Sequence, residues 1–313
     1  MPLLDLGAAI AIGLSYFTII YLTGLGGLFS ERSGIVNIGL EGLMVIGTVM
    51  GAWGGVRWGP VAGLLIGAVA GLLFSLVHAL ATVTFRVDHI VSGVVINVVA
   101  VGMARFLSTQ FFGSATQSTS GVPDLGKIDV PLLSALPAGL GRAFENLSPV
   151  VLVAFALTFP VVFILRRTRF GLRLRSAGEN PEATRALGVR VAPLRYAGVA
   201  ISGTLAGFSG AFLSVEVNQL YQEGQTQGLG FIALAALILG NWSPTRLMLG
   251  ALLFGFAQAV PLRLDDAPVL SLLPEQFIRM IPYVVTIVAI AGFVGRVHPP
   301  AAVGKAYEGA GGA

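Results

Sequence analysis

The chain has no cysteine and very few charged side chains. Of its 313 residues none is Cys, and only 11% are Asp, Glu, Lys or Arg. The absence of cysteine excludes disulfides and thiolate metal sites. A soluble domain carries about 25% charged residues, whereas an ionised side chain within a bilayer is costly. With a mean hydropathy of +0.85, this scarcity of charge predicts an integral membrane protein.

The motifs of common enzyme classes are missing as well. The three histidines, His78, His89 and His298, are far apart in sequence, and no H-E-x-x-H or G-x-x-x-x-G-K-[ST] stretch occurs. These absences argue against a zinc protease and against a phosphate-binding loop for a nucleotide. We therefore expect no catalytic residue, metal or cofactor in this chain. The net charge of +4 is typical of basic cytoplasmic loops and does not indicate a nucleic acid partner.

Long apolar runs make up most of the sequence. A membrane-spanning helix needs about 20 apolar residues, and the runs lack the strict alternation of barrel strands. The sequence predicts an all-α polytopic bundle, a single transmembrane domain over 1–313, with about nine (eight to ten) transmembrane helices. The run 224–245 is either one span or a re-entrant hairpin. The runs are 6–30, 42–56, 58–85, 89–104, 146–165, 196–215, 224–245, 247–262 and 280–295.

Basic residues set the predicted orientation. The segment 166–195 holds eight arginines between two apolar runs, and arginine and lysine concentrate in cytoplasmic loops. Counting spans outward from this cytoplasmic segment makes 113–147 an extracytoplasmic loop and 297–313 a cytoplasmic tail. The N-terminus is then expected outside.

A short helix is predicted in the middle of the basic segment. Asn180 is suited to cap it, Pro181 to its first position, and Glu182 to the positive end of its dipole, while Gly188 is placed to end it. The helix is expected to dock a soluble partner; the alternative is a solvated loop that only sets topology. Its small apolar face consists of Ala183, Ala186 and Leu187.

The stretch "GLRLRSAGENPEATRALGV" resembles the cytoplasmic coupling loop of ATP-binding-cassette importer permeases, in the branch of branched-chain amino acid, ribose and nucleoside importers. The family pattern Glu-Ala-Ala, three residues, Gly corresponds to Glu182-Ala183-Thr184 and Gly188, with Thr184 departing from it. The resemblance implies that ATP is bound by a separate ATPase subunit and that this loop fits into a groove of that subunit. It assigns ATPase coupling to Gly178, Glu179, Asn180, Pro181, Glu182, Ala183, Arg185, Leu187 and Gly188.

A second stretch, "GLFSERSGIVNIGLEGLMVIG" at 27–47, resembles the "ERSGxxNIGxEG" segment of nucleoside-type permeases. This resemblance implies a nucleoside as the solute, with a simple sugar of the ribose or galactose type as the alternative. It also implies a second permease chain (another protein or a copy of this one), an extracytoplasmic substrate-binding protein and the bacterial cytoplasmic (inner) membrane. An ion-coupled secondary transporter is the rival class.

Four polar residues in or near the apolar runs are candidates for the substrate path. Asn37 and Glu41 are four residues apart and are expected on one helix face; the alternative for Glu41 is an interfacial pair with Arg32. Asn97 and Gln258 lie within other runs, where a buried amide also serves as a hydrogen bond between helices. The amide-rich segment 214–230 either lines the outer mouth or contacts the binding protein, or is a plain solvated loop.

Overall fold

Helices account for all regular structure in the described part of the chain. The computed structural model describes residues 6–134, 140–263, 274–293 and 297–307, and an all-α fold is confirmed there. Parts of three predicted segments lie outside the described residues. They are 135–139 of the loop 113–147, 294–295 of the span 280–295, and 308–313 of the tail 297–313. The α-helices are α1 (Leu6–Arg32), α2 (Leu40–Trp58), α3 (Pro60–Ala79), α4 (His89–Phe112), α5 (Pro131–Ser134), α6 (Pro149–Arg167), α7 (Arg169–Glu179), α8 (Pro181–Ala186), α9 (Val191–Phe212), α10 (Leu229–Leu239), α11 (Pro244–Arg263) and α12 (Glu275–Phe293).

Five of the described helices are long and apolar enough to cross a membrane. Two of them, α3 and α9, are lengthened by π-helical turns at Leu80–Thr84 and Leu213–Val217. The protein is therefore a multi-pass membrane protein, while the total of about nine spans stays a prediction. The five segments are Gly7–Arg32, Pro60–Thr84, His89–Phe112, Pro149–Arg167 and Val191–Val217.

Helix α1 lies at the centre of the bundle. It packs against α9, α10 and α11, while α2 packs against α3, α4 and α9. The side chains of Phe17, Leu25 and Leu28 in α1 are completely buried. By contrast, α3 and α4 expose large apolar side chains such as Leu73 and Val98. Exposure of this kind is what lipid contact requires, because lipid tails solvate apolar side chains.

Glycines allow α2, α3 and α9 to approach one another closely. A Cβ atom added at Gly207 would lie within 3.0 Å of backbone atoms of both Gly67 and Gly71, and one added at Gly47 would meet the backbone of Gly207 equally closely. Helix association in lipid depends on such small-residue faces, because no hydrophobic driving force acts between the helices. These glycines therefore fix the position of α2 in the bundle.

The connection between α1 and α2 corrects one prediction. Residues Ser33–Gly39 are not helical, and α2 begins only at Leu40. A left-handed Gly34 (φ 100°) turns the chain, and the Ser30 hydroxyl donates to the carbonyl of Ile35 at 2.8 Å. Asn37 thus precedes α2, and the prediction that Asn37 and Glu41 share one helix face is wrong.

Replacing Gly207 with alanine tests the close packing of α2, α3 and α9. The added methyl group overpacks the contact, which typically costs about 1–3 kcal/mol, so we expect a lower thermal unfolding midpoint in detergent. The matched control is Gly102→Ala in α4, where an added Cβ meets nothing within 4 Å. Alanine is favoured over glycine within a helix by about 1 kcal/mol, so this control should unfold no earlier than the parent. Equal midpoints for the two variants would contradict the packing described.

Candidate functional site

A cavity of about 450 Å³ opens between α2, α4 and the segment that precedes α10. Carboxylate, hydroxyl and carboxamide groups line it together with apolar side chains of α4 and the ring of Phe231. A volume of this size lies within the range of small-molecule sites, about 300–1,000 Å³. The polar lining residues are Glu41, Thr48, Asn97, Tyr221, Gln222, Glu223, Gln225, Thr226 and Gln227.

Glu41 forms one side of this cavity and holds the start of α10. Its Oε1 accepts a hydrogen bond from the backbone N–H of Gly228 at 3.0 Å, and its Oε2 accepts one from Gly230 at 2.7 Å. The first N–H groups of a helix have no partner within the helix, and the helix dipole attracts negative charge there. The Glu41 carboxylate therefore accepts hydrogen bonds from the first N–H groups of α10 and also places a negative charge at the positive end of its dipole.

Helix geometry places this contact deep in the bundle. Helix α10 has 11 residues, which makes it about 16 Å long, or about half of the ~30 Å hydrocarbon layer. Its carboxyl end lies beside the end of α1, where Arg32 donates two hydrogen bonds to the carbonyl of Trp242 at 3.1 and 2.7 Å. The amino end of α10, with Glu41, is consequently about half a membrane thickness away from Arg32.

Asn97 supports the start of α2 in the same way. Its Oδ1 accepts from the N–H of Gly42 at 2.8 Å, and its Nδ2 donates to the carbonyl of Ile38 at 3.1 Å. Asn97 thus makes the interhelical hydrogen bonds that the sequence suggested as its alternative role, and it also lines the cavity. Both helices that begin inside the bundle, α2 and α10, have their first N–H groups bound by a side chain of another element.

The segment before α10 closes the cavity and is itself held from several sides. The Arg105 guanidinium of α4 lies 2.9 Å from a carboxylate oxygen of Glu223, and the Tyr283 hydroxyl of α12 donates to the carbonyl of Gln227 at 3.0 Å. Within the segment, Gln225 accepts from the amide of Asn218 at 2.8 Å. The Nε2 of Gln225 is buried and has no hydrogen-bond partner among the described residues.

The short helix in the basic segment has the predicted caps. Helix α8 spans Pro181–Ala186, and the Oδ1 of Asn180 accepts from the N–H of Ala183 at 2.9 Å. Gly188 follows with φ 78°, which suits glycine because it lacks a Cβ. Thr184 faces inward, where its hydroxyl lies 2.8 Å from that of Ser176. Leu187, in contrast, is 82% exposed, so an apolar side chain is presented to the surroundings beside α8.

Helix α7 connects α8 to the turn between α1 and α2. Glu179 at its end lies 3.6 Å from a guanidinium nitrogen of Arg32. A Cβ added at Gly178 would collide with the carbonyl of Arg32, so the two backbones are in direct contact. The alternative pairing of Glu41 with Arg32 is therefore wrong, because Arg32 is bound to Glu179 and to Trp242 at the other end of α10.

Comparison with known proteins identifies the family. The model of the family described as the branched-chain amino acid transport system / permease component matches residues 9–291. The chain belongs to this family. The permease is thus a transport protein and not an enzyme. No solved structure matches it significantly.

Three relatives cover nearly the whole permease. It is 40% identical over 303 residues, 94% of each chain, to the guanosine ABC transporter permease protein NupQ of Bacillus subtilis. It is 40% identical over 304 residues, again 94% of each chain, to the nucleoside ABC transporter permease protein NupC of Lactococcus lactis subsp. cremoris. To the putative glucose ABC transporter permease protein TsgC13 of Haloferax volcanii it is 34% identical over 303 residues, 89% of each chain.

The structure brings together two of the four predicted path residues of the permease. Glu41 and Asn97 line the same cavity. Asn37 is buried behind it and donates to the hydroxyl of Ser202 at 3.0 Å, while its Oδ1 has no partner among the described residues. Gln258 lies half-buried on α11 and is not part of the cavity wall.

Sequence reasoning missed the part of the site that α10 contributes. Gly228 and Gly230 bind Glu41 through backbone N–H groups, which no side-chain pattern reveals. The amide-rich segment 214–230, which the sequence predicted either to line the outer mouth or contact a binding protein or to be a solvated loop, contributes Gln222, Gln225 and Gln227 to the cavity wall. Among the described residues no group of three or more His, Cys, Asp or Glu could hold a metal ion.

Replacing Glu41 with alanine tests the contact between Glu41 and α10. The N–H groups of Gly228 and Gly230 would lose their acceptors, and an unsatisfied buried donor costs about 1–3 kcal/mol. We expect a lower thermal unfolding midpoint and faster amide hydrogen exchange in the first turn of α10. The exposed Glu145 provides the control, as Glu145→Ala. If Glu41→Ala leaves exchange in α10 as slow as the control does, Glu41 does not hold this helix.

Proposed function

We propose that this chain is the permease subunit through which an ATP-binding-cassette importer moves a nucleoside across the bacterial cytoplasmic membrane. The observation that supports it most is 40% identity over nearly the full chain to permeases described as guanosine and nucleoside transporters. A simple sugar is the second candidate, because a relative described as a putative glucose permease is 34% identical.

The chemistry of the cavity supports a nucleoside as the solute. A nucleoside presents an aromatic base with hydrogen-bonding edges and a sugar with hydroxyl groups. The exposed ring of Phe231 offers contact area for a base, while the carboxamides of Gln222 and Gln225 on the cavity wall offer uncharged polar groups for both parts. The carboxylate of Glu41 is already occupied by two backbone N–H groups, which argues against its use as a proton carrier in an ion-coupled transporter.

Helix α8 is suited to receive the force of ATP hydrolysis from a separate subunit. It is short, capped at its amino end, and exposes Glu182 and Ala183 together with Leu187. Membership of the permease family implies an ATPase subunit and a substrate-binding protein as partners. We infer that Glu182 and Arg185 make polar contacts with the ATPase and that Leu187 makes an apolar one. The ATP is bound by that partner, and this chain carries no cofactor.

Alternating access follows from this arrangement. Two permease chains, either this one with a second protein or two copies, would enclose the path, and ATP-driven closure of the ATPases would move α8 and α7. The eight arginines of 166–195 support a cytoplasmic position for this face, because basic residues concentrate in cytoplasmic loops. The extracytoplasmic binding protein would deliver the solute to the opposite face, which the loop 113–147 shares.

Uptake by the purified complex in proteoliposomes tests the proposal. With the binding protein present, we expect ATP-dependent accumulation of radiolabelled guanosine or uridine, and weaker competition from ribose or galactose than from unlabelled nucleosides. Accumulation that continues without the ATPase subunit would overturn the ATP-driven assignment. Stronger competition from the sugars would instead favour the sugar alternative.

Reversing the charge of Glu182 tests the role of α8. We expect Glu182→Arg to insert and fold normally, because the side chain is exposed, yet to abolish uptake and the stimulation of ATPase activity by loaded binding protein. The matched control is Glu145→Arg in the loop at the other face. If Glu182→Arg transports as well as this control, α8 is not where the ATPase acts.

Gln225 lines the cavity and is expected to contact the solute through its carboxamide group. A net hydrogen bond contributes about 0.5–1.5 kcal/mol, so Gln225→Leu should raise the half-saturation concentration for uptake by about two- to twelve-fold. The maximal rate should change little, because α8 and the bundle core are untouched. Gln117→Leu, an exposed glutamine outside the cavity, is the control. Equal half-saturation concentrations in the two variants would remove Gln225 from the site.

A further inference from the structure

Arg195 is a buried cation at the start of α9 that has no carboxylate partner among the described residues. Only 1% of the residue is exposed. Its Nη1 donates to the carbonyl of Lys305 at 3.2 Å, and its guanidinium carbon lies 5.6 Å from the centre of the Tyr307 ring. Within the described ranges, its Nε and Nη2 atoms have no hydrogen-bond partner. Burying a charge without a counter-ion is costly, so both compensating contacts come from the tail of the chain.

The described part of the tail, 297–307, is bound to several elements of the same face. Four of its N–H groups donate to other elements, namely the end of α7, the turn at Gly34 and the residues that follow α10. The N–H of His298 binds Asn241 after α10 at 2.9 Å, that of Ala301 binds the carboxylate of Glu179 at 3.2 Å, that of Ala302 binds the carbonyl of Gly178 at 2.9 Å, and that of Gly304 binds the carbonyl of Gly34 at 3.1 Å.

The tail also forms a wall beside α8. A cleft of about 470 Å³ is lined by Asn180, Pro181 and Glu182 on one side and by Lys305 and Tyr307 on the other, with Arg195 between them. Tyr307 additionally lines the neighbouring groove formed by Arg185 and the residues that follow α8. The tail is thus bound to the end of α7, which leads directly into α8, and to the turn at Gly34, from which residues 35–39 lead to Glu41.

We propose that Arg195 and the tail 297–307 are a positioning element that joins α8 to the Ser33–Gly39 segment, so that displacement of α8 by the ATPase moves Glu41 and reshapes the cavity. The inference rests on the proposed function. Arg195 is the fixed point of this element: α9 holds its backbone, and its guanidinium group holds Lys305 and Tyr307. Without that contact, the tail keeps only the hydrogen bonds that its own N–H groups donate to neighbouring elements, and movement of α8 reaches Glu41 inefficiently.

Coupling efficiency in the full complex tests the inference. The measured quantity is nucleoside taken up per ATP hydrolysed in proteoliposomes, with the amount of assembled complex and the basal ATPase rate recorded for each variant. A cation–π contact contributes about 1 kcal/mol, so Tyr307→Ala should lower uptake per ATP roughly five-fold while the complex still assembles. Tyr307→Phe keeps the ring and should behave like the parent.

Variants of Arg195 test the same contact from its other side. Arg195→Met removes the charge and the hydrogen bond to Lys305, and we expect it to uncouple at least as strongly as Tyr307→Ala. Arg195→Lys keeps the charge without the planar group and should fall between Arg195→Met and the parent. If Arg195→Met does not assemble, the decision rests on Tyr307→Ala, whose residue is only half-buried.

The outcomes separate this inference from the proposed function. If the parent complex takes up no nucleoside with ATP, the proposed function has failed before any variant is compared. If the parent transports, and Tyr307→Ala and Arg195→Met both take up as much nucleoside per ATP as the parent does, the positioning role is overturned. A loss of assembled complex in Tyr307→Ala, with normal uptake per ATP in what remains, would show that the tail serves stability only.

Discussion

The bond between the Glu41 carboxylate and the first N–H groups of α10 is the constraint on which the rest of the structure depends. In lipid each backbone polar group needs a partner within the protein, so a helix that begins inside the bundle requires acceptors at that depth. Glu41 supplies them to Gly228 and Gly230, and Asn97 supplies one to Gly42 at the start of α2. Because both helices begin there, polar groups and open space exist where a full-length span would place apolar side chains.

The close glycine packing of α9 and the contacts of the tail connect this region of the bundle to the face that carries α8. Gly207 and Gly71 hold α9 against α3, so that α9 is a rigid support for Arg195 near its amino end. From Arg195 the contacts pass through the tail to Gly34 and, through α7, to α8. The cavity and the helix on which the ATPase is proposed to act are therefore connected by a short series of side-chain and backbone hydrogen bonds.

The sequence predicted the features that local chemistry decides. The scarcity of charge indicated a membrane protein, and the order Asn180, Pro181, Gly188 predicted α8 because capping depends on neighbouring residues alone. It named Glu41 as a candidate for the path because an ionisable residue lies there beside the apolar run 42–56, and the four-residue spacing from Asn37 suggested a continuous helix that the structure does not have. The turn at Gly34, the length of α10 and the contacts of Arg195 depend on tertiary packing between distant segments, which spacing along the chain does not record.

A single cysteine in the cavity wall provides the most direct test of whether the space beside Glu41 is the solute path. The chain has no native cysteine, so in Val45→Cys the only thiol of this chain lies on α2 in the cavity wall. The control is Leu73→Cys on the exposed surface of α3. The account predicts that a hydrophilic thiol reagent labels Val45→Cys in the assembled complex, that nucleoside slows the labelling, and that Leu73→Cys does not react. Labelling of Val45→Cys at the same rate with and without nucleoside, or no labelling at all, would contradict it.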